Sequence, residues 1–139
     1  PDVGRSVVFY GYDNIETQSL EPLYVTEGFF DAHPINGAAV LSNKLSSDQI
    51  EVLQRCPRKK VVIPDKRGDG HKLALQALKL GWSISIPDIG ECKDISEAVA
   101  KYGKLYVMKS IVENTCSGFL AETKIQLLLQ KGKDKNGKK

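Results

Sequence analysis

Carboxylates recur at one kind of place in this chain, a few residues after three of its short apolar runs. Glu27 and Asp31 follow Leu23-Tyr24-Val25-Thr26, and Asp65 and Asp69 follow Val61-Val62-Ile63-Pro64. Asp88, Glu91 and Asp94 follow Ser83-Ile84-Ser85-Ile86. Lys44 comes soon after Ala38-Ala39-Val40-Leu41, and Arg67 stands between Asp65 and Asp69. Like charges brought to one rim repel unless a cation joins them. Hard oxygen donors with room left for water suit Mg²⁺ or Mn²⁺. Such a site serves phosphoryl or nucleotidyl transfer, in which charge grows on phosphate oxygens. Lys44, by its place after a strand, is positioned to neutralise a nucleotide phosphate.

These residues need a scaffold that delivers them to one side. Short β-rich runs alternate with amphipathic helical runs. The expected strands are Val7-Val8-Phe9-Tyr10 and the four runs around residues 23–26, 38–41, 61–63 and 83–86. The central ones are continuous apolar stretches, as strands buried on both faces of a parallel sheet are. Helices are expected from Ser46, where Ser46 and Gln49 have capping-box spacing, and from about Lys72 to Leu80 with Gly81 as the stop. Others follow Asp94, cover roughly Leu105 to Val112, and run from Phe119 to Gln130. Strand–helix–strand units with short loops predict an α/β fold with a mostly parallel central sheet flanked by helices. In such sheets ligands sit beyond the carboxyl ends of the strands.

Composition narrows the class. The chain has 139 residues, 41% hydrophobic and 27% charged, which suits one packed domain. We divide it into a lead-in over 1–22 with one strand, a domain over 23–130, and a disordered basic tail over 131–139. The formal net charge is +3, yet the tail alone holds five Lys against one Asp, so the rest of the chain is close to neutral. The domain is therefore no basic nucleic-acid clamp. A Lys/Gly/Asn/Asp run cannot bury apolar surface, hence the expected disorder. Three cysteines, far apart in sequence, argue against a disulfide framework or a zinc site and favour a reducing, cytoplasmic setting. No apolar window is long enough to span a membrane, so no membrane partner is expected. The chain begins with Pro1 rather than Met, and we expect an excised or processed piece.

Taken in order, the motifs resemble the TOPRIM fold as it occurs in bacterial and phage DNA primases. Tyr24-Val25-Thr26-Glu27-Gly28-Phe29-Phe30-Asp31 is similar to the Glu-Gly-x-x-Asp motif, and Phe9-Tyr10-Gly11-Tyr12-Asp13 to the segment leading into it. Leu41 to Ser46 resembles the loop after the third strand. Val61-Val62-Ile63-Pro64-Asp65 resembles the strand and first acid of Asp-x-Asp. Ile86-Pro87-Asp88 through Lys93-Asp94-Ile95 resembles the late motif. Ile111 to Gly118 looks like the T-even-type phage primases.

The resemblance implies RNA-primer synthesis on single-stranded DNA from nucleoside triphosphates, with Mg²⁺ or Mn²⁺ and a replicative helicase as partner. It implies that Glu27 is a proton shuttle for the attacking 3′-hydroxyl or a metal ligand, and that Asp65 is a metal ligand. Asp31 and Asp94 would support the same metal cluster.

The chain departs from that pattern where Asp-x-Asp calls for a second acid, because Arg67 stands there. Either Gly68 and Gly70 let the loop fold back and bring Asp69 to the metal, or Arg67 faces phosphate and the site holds one metal or none. Each residue also has a plainer reading. Asp31 and Asp94 can cap helices, while Asp65 and Asp69 can be turn residues. His33 and His71 read as surface residues, Trp82 as core, and Arg58-Lys59-Lys60 as a solvated run. Two rival functions remain: a TOPRIM metal-dependent nuclease, and a catalytically degenerate module that binds nucleic acid or protein.

Overall fold

The computed structural model describes residues 9–66 and 70–137, with side chains described as far as Gln130. Val7, Val8, Arg67 and Asp69 lie outside the described residues. In chain order the elements are helix α1 (Tyr12–Glu16), β1 (Leu23–Thr26), α2 (Phe29–Ala32) and a 3₁₀ turn (His33–Ile35). Then come β2 (Ala38–Ala39), α3 (Ser47–Arg55), β3 (Lys60–Ile63), α4 (Gly70–Lys79) and β4 (Ser83–Ser85). The chain continues with α5 (Ile95–Tyr102), α6 (Lys104–Glu113), β5 (Thr115–Cys116) and α7 (Gly118–Gly137).

The five strands form one sheet in the order β2-β1-β3-β4-β5. The first four are parallel. Val25 faces Ala38, Leu23 to Thr26 run beside Lys60 to Ile63, and Val61 and Val62 run beside Ser83 and Ile84. β5 is antiparallel to β4, with Cys116 opposite Ile84. The fold is thus α/β with a mostly parallel sheet flanked by helices, as the alternating runs predict. Strand side chains point alternately to the two faces. Leu23, Val25, Val62 and Ile84 join one core with Val52 and Leu53 of α3, Leu73 and Ala77 of α4, and Ala121 and Ile125 of α7. Tyr24, Val61 and Ile63 join the other with Ile95 and Ala98 of α5 and Val107 and Ile111 of α6. Each fully buried Val, Leu or Ile contributes about 1.5–3 kcal/mol, so burial on both faces is what holds the sheet.

Local signals set the helix ends. Ser46 Oγ accepts from the Gln49 amide (3.1 Å) and Gln49 Oε1 accepts from the Ser46 amide (2.9 Å), completing the capping box. Gly81 ends α4 with φ +80°, and Trp82 N donates to Ala77 O at 2.9 Å. Four elements go beyond the sequence expectation: α1, α2, the 3₁₀ turn and β5. β5 is two residues long, too short to carry a period. Of the expected first strand, Tyr10 makes an isolated antiparallel bridge to Ala39.

The last helix, expected to end at Gln130, continues in its backbone to Gly137. Lys is a good helix former and its charge is favoured near a helix C-terminus. No helix among the described residues is long and apolar enough to cross a membrane.

The segment before β1 packs on the same core. Ile15 is buried, Asn14 Nδ2 donates to Gly37 O (3.0 Å), and Cys56 Sγ donates to Ile15 O (3.4 Å). Arg58 is its anchor: Nη1, Nε and Nη2 donate to the carbonyls of Asn14 (2.8 Å), Glu21 (3.0 Å) and Pro22 (2.9 Å). Lys60 Nζ donates to Cys56 O at 2.7 Å, and burial pushes its pKa below the usual lysine value. Two members of the basic run are therefore occupied by main-chain carbonyls. Arg58→Ala should lower stability by about 2 kcal/mol or more in urea unfolding, because three carbonyls lose a charged donor. Arg58→Lys should not restore it, since an ammonium lacks the planar fork. An unchanged midpoint for Arg58→Ala would contradict this role.

Candidate active site

β1 ends at Thr26, whose buried hydroxyl donates to Gly28 O (2.9 Å) and shapes the turn that follows. Glu27 leaves the sheet there. Its carbonyl accepts from Leu41 N (2.8 Å), and Thr26 O accepts from Val40 N (2.9 Å), so pairing with the β2 side continues past the strand. Oε2 of Glu27 is shielded from solvent. Because Thr26 is in register with Ile63, the residues after β3 emerge beside Glu27. Asp65 is the second of these and is half-buried.

Gly70, read from sequence as loop chemistry, has a packing role. A Cβ on it would stand 2.6 Å from the Asp65 amide nitrogen and nearer still to its carbonyl oxygen. Only glycine lets α4 begin against the Asp65 peptide.

Asp31 and Asp94 meet at the start of α5. Asp31 Oδ1 accepts from the Ile95 amide at 2.8 Å, across 64 residues of sequence. Asp94 is the N-cap, its Oδ1 accepting from Glu97 N at 2.7 Å. Ser96 Oγ donates to Phe30 O at 2.8 Å, tying the same two elements again. The capping reading of Asp94 therefore holds. Asp31 caps too, though it serves α5 rather than its own helix. Carboxylates are favoured at a helix N-terminus by its unpaired amides and its dipole.

Asp31, Asp65 and Asp94 line one small pocket with Lys66, Lys93 and the apolar side chains of Ile63, Ile86 and Ile89. Lys66 Nζ donates to Gly90 O at 2.7 Å. Glu27 is not part of this lining. Among the described residues, no three His, Cys, Asp or Glu side chains stand close enough to hold one ion. Carboxylate is nonetheless the right donor for Mg²⁺, which usually takes one or two carboxylates and completes its shell with waters and substrate phosphates. The pocket fits that mode and not a cage of protein ligands.

Lys44 is exposed on the loop between β2 and α3. Gln76 pins that loop, its Oε1 accepting from Leu45 N (2.7 Å) and its Nε2 donating to Leu45 O (3.0 Å). Gln49 Nε2 donates to Val40 O at 3.1 Å. Leu41 between them has φ +62°, a left-handed conformation rare for leucine. Asp88 is exposed and its Oδ1 accepts from Gly90 N (3.3 Å), a turn role. Lys66 and Lys93 were not singled out from sequence; the only signal was that each adjoins a pocket acid, Asp65 and Asp94. Asp94→Ala and Asp31→Ala should each cost about 1 kcal/mol of stability, the usual worth of a lost cap. Asp31→Asn, which keeps an acceptor oxygen, should cost less. Equal losses for Asn and Ala in chemical denaturation would show that the contact to Ile95 is not what Asp31 supplies.

No protein-family model matches the chain, and no curated protein matches its sequence. A solved structure described as the DnaG catalytic core superposes on it with a TM-score of 0.59 at 23% identity. The match covers 78% of this chain and 40% of that one, so the chain spans well under half the length of that core. What the two share is the fold, a helix-flanked, mostly parallel sheet.

Proposed function

We propose that this chain is the catalytic TOPRIM domain of a DNA primase, making RNA primers on single-stranded DNA by nucleotidyl transfer. The observation that carries the reading is the gathering of Asp31, Asp65 and Asp94 in one pocket at the carboxyl edge of the sheet, with Glu27 on the adjoining strand end. The fold it shares with the DnaG catalytic core supports it. The phage-type assignment rests on the stretch Ile111 to Gly118 alone.

In this reading a 3′-hydroxyl attacks the α-phosphate of a nucleoside triphosphate, a new P–O bond forms, and pyrophosphate leaves. Glu27 accepts the hydroxyl proton as general base. Asp65, with Asp31, would hold Mg²⁺ or Mn²⁺, which when bound neutralises charge on the phosphate oxygens. Lys44, Lys66, Lys93 and Arg67 meet the phosphates. Gly28 fronts open space, since a Cβ there meets nothing within 4 Å, and it leaves the surface beside Glu27 clear for substrate. The template strand, nucleoside triphosphates and a replicative helicase are the partners of this activity.

A non-catalytic nucleic-acid or protein-binding module is the second reading, favoured by Arg67 at the place of the second acid. Primer synthesis by the intact protein decides between them. Glu27→Gln and Asp65→Asn should each reduce it by about 10²-fold or more, and two fully active variants would remove the catalytic reading. Calorimetric titration with Mg²⁺ should show binding that Asp65→Asn abolishes, and a module with a lost site would show none. Gly28→Ala should fold with a stability within about 0.5 kcal/mol of the parent, because φ −118° suits any residue, while primer synthesis falls.

A further inference from the structure

Immediately past Glu27 and Gly28 stands a group of aromatic rings that neither core absorbs. Phe29 is its hub. Its ring centroid lies 4.6 Å from Tyr10 and 5.2 Å from Phe30, both edge-on, and 5.0 Å from His33, stacked at 19°. Tyr10 and His33 are locked to each other by a 2.6 Å hydrogen bond between the phenol and Nδ1. Phe30 is 61% exposed and Phe29 39% exposed. Single exposed apolar residues are ordinary. Here two of the chain's four Phe sit side by side, held by two further rings, on a helix of four residues.

Two features say what covers these rings. The first is position: Phe30 precedes Asp31, which lines the carboxylate pocket, and Phe30 O is tied to Ser96 at the mouth of the same helix α5. One turn of helix thus carries an acid toward the pocket and exposed rings beside it. The second is chemistry. The group is aromatic with polar edges, the Tyr10 hydroxyl and the His33 ring nitrogens, and it contains no aliphatic side chain. Aliphatic surface of the kind that takes a protein helix lies in a separate groove with Leu105, Met108 and Val112. Rigid aromatic faces beside phosphate-handling groups suit a heteroaromatic base, because every base offers a π-face. The rings are already ordered by one another, so a base stacking on them immobilises little that is free.

We propose that Phe29, Phe30 and His33, braced by Tyr10, form a stacking platform for an unpaired nucleobase entering the acid rim. The proposal rests on the nucleotidyl-transfer reading of that rim and adds the element that grips the base. The base belongs either to a single strand or to a nucleoside triphosphate, and paired probes separate the two. Equilibrium binding to the intact protein is measured for oligothymidylate against an abasic sugar–phosphate oligomer of equal length, and for UTP against ribose 5-triphosphate.

In at least one pair the base-bearing probe should bind about five- to a hundredfold tighter. Phe30→Ala should erase that preference, Phe30→Trp should keep or increase it, and His33→Ala should reduce it. Circular dichroism verifies that each variant is folded. A preference that survives both Phe30→Ala and His33→Ala overturns the platform, as it would if the rings dock a protein segment. So does a wild-type protein that shows no preference in either pair. Failure of the primase reading has a different signature: base preference intact and sensitive to Phe30, with no primer made.

Discussion

Parallel strands impose the constraint on which the rest of this molecule depends. A parallel pair cannot close with a tight hairpin, so every connection must cross a face of the sheet before the next strand begins. Four strands running one way therefore release their following residues at one edge, while the crossing helices bury both faces. Glu27 after β1, Lys44 after β2, Asp65 after β3 and Asp94 after β4 come to the same side because the strands before them must run together. The antiparallel β5 closes the sheet beside β4 without adding to that edge.

Gathering carboxylates at one edge costs electrostatic energy, and the fold offsets much of it with its own dipoles. Two of the acids, Asp31 and Asp94, accept amides in the first turn of α5. Lys66 and Lys93 share the pocket with them. The two acids thus hold the start of α5 while lining the pocket. Asp65 is placed differently: the close approach of Gly70 sets its peptide, so its position follows from backbone packing. The rim therefore combines acids fixed by helix amides with one fixed by a missing side chain.

The loop that carries Lys44 shows the same economy. Gln49 and Gln76 hold its two ends by bonding main-chain groups, and Leu41 is held in a left-handed conformation between them. Strain of this kind persists only where the surroundings over-determine it, and here those surroundings are Gln49, Gln76 and the carbonyl of Glu27. The exposed Lys44 thus springs from a backbone pinned on both sides.

Much of this was legible in the order of residues. Apolar runs such as Val61-Val62-Ile63 marked the strands, Ser46 and Gln49 marked a helix start, Gly81 marked a helix end, and Asp94 stood where a cap belongs. Each of those signals is local, because propensity, capping and turn chemistry act over a few residues. What no local signal carried was partnership across the chain. Asp31 serves the amide of Ile95, Arg58 gathers the carbonyls of Asn14, Glu21 and Pro22, and Gly70 makes room for Asp65. The two-residue β5 and the ring cluster around Phe29 likewise exist only through neighbours distant in sequence. The sequence by itself determined the alternation of strand and helix and the acids that follow the strands. Tertiary structure alone decided which acids share a pocket, which are spent on helix amides and which rings stay exposed, because those outcomes depend on close packing and hydrogen bonding between segments that meet only when the chain folds.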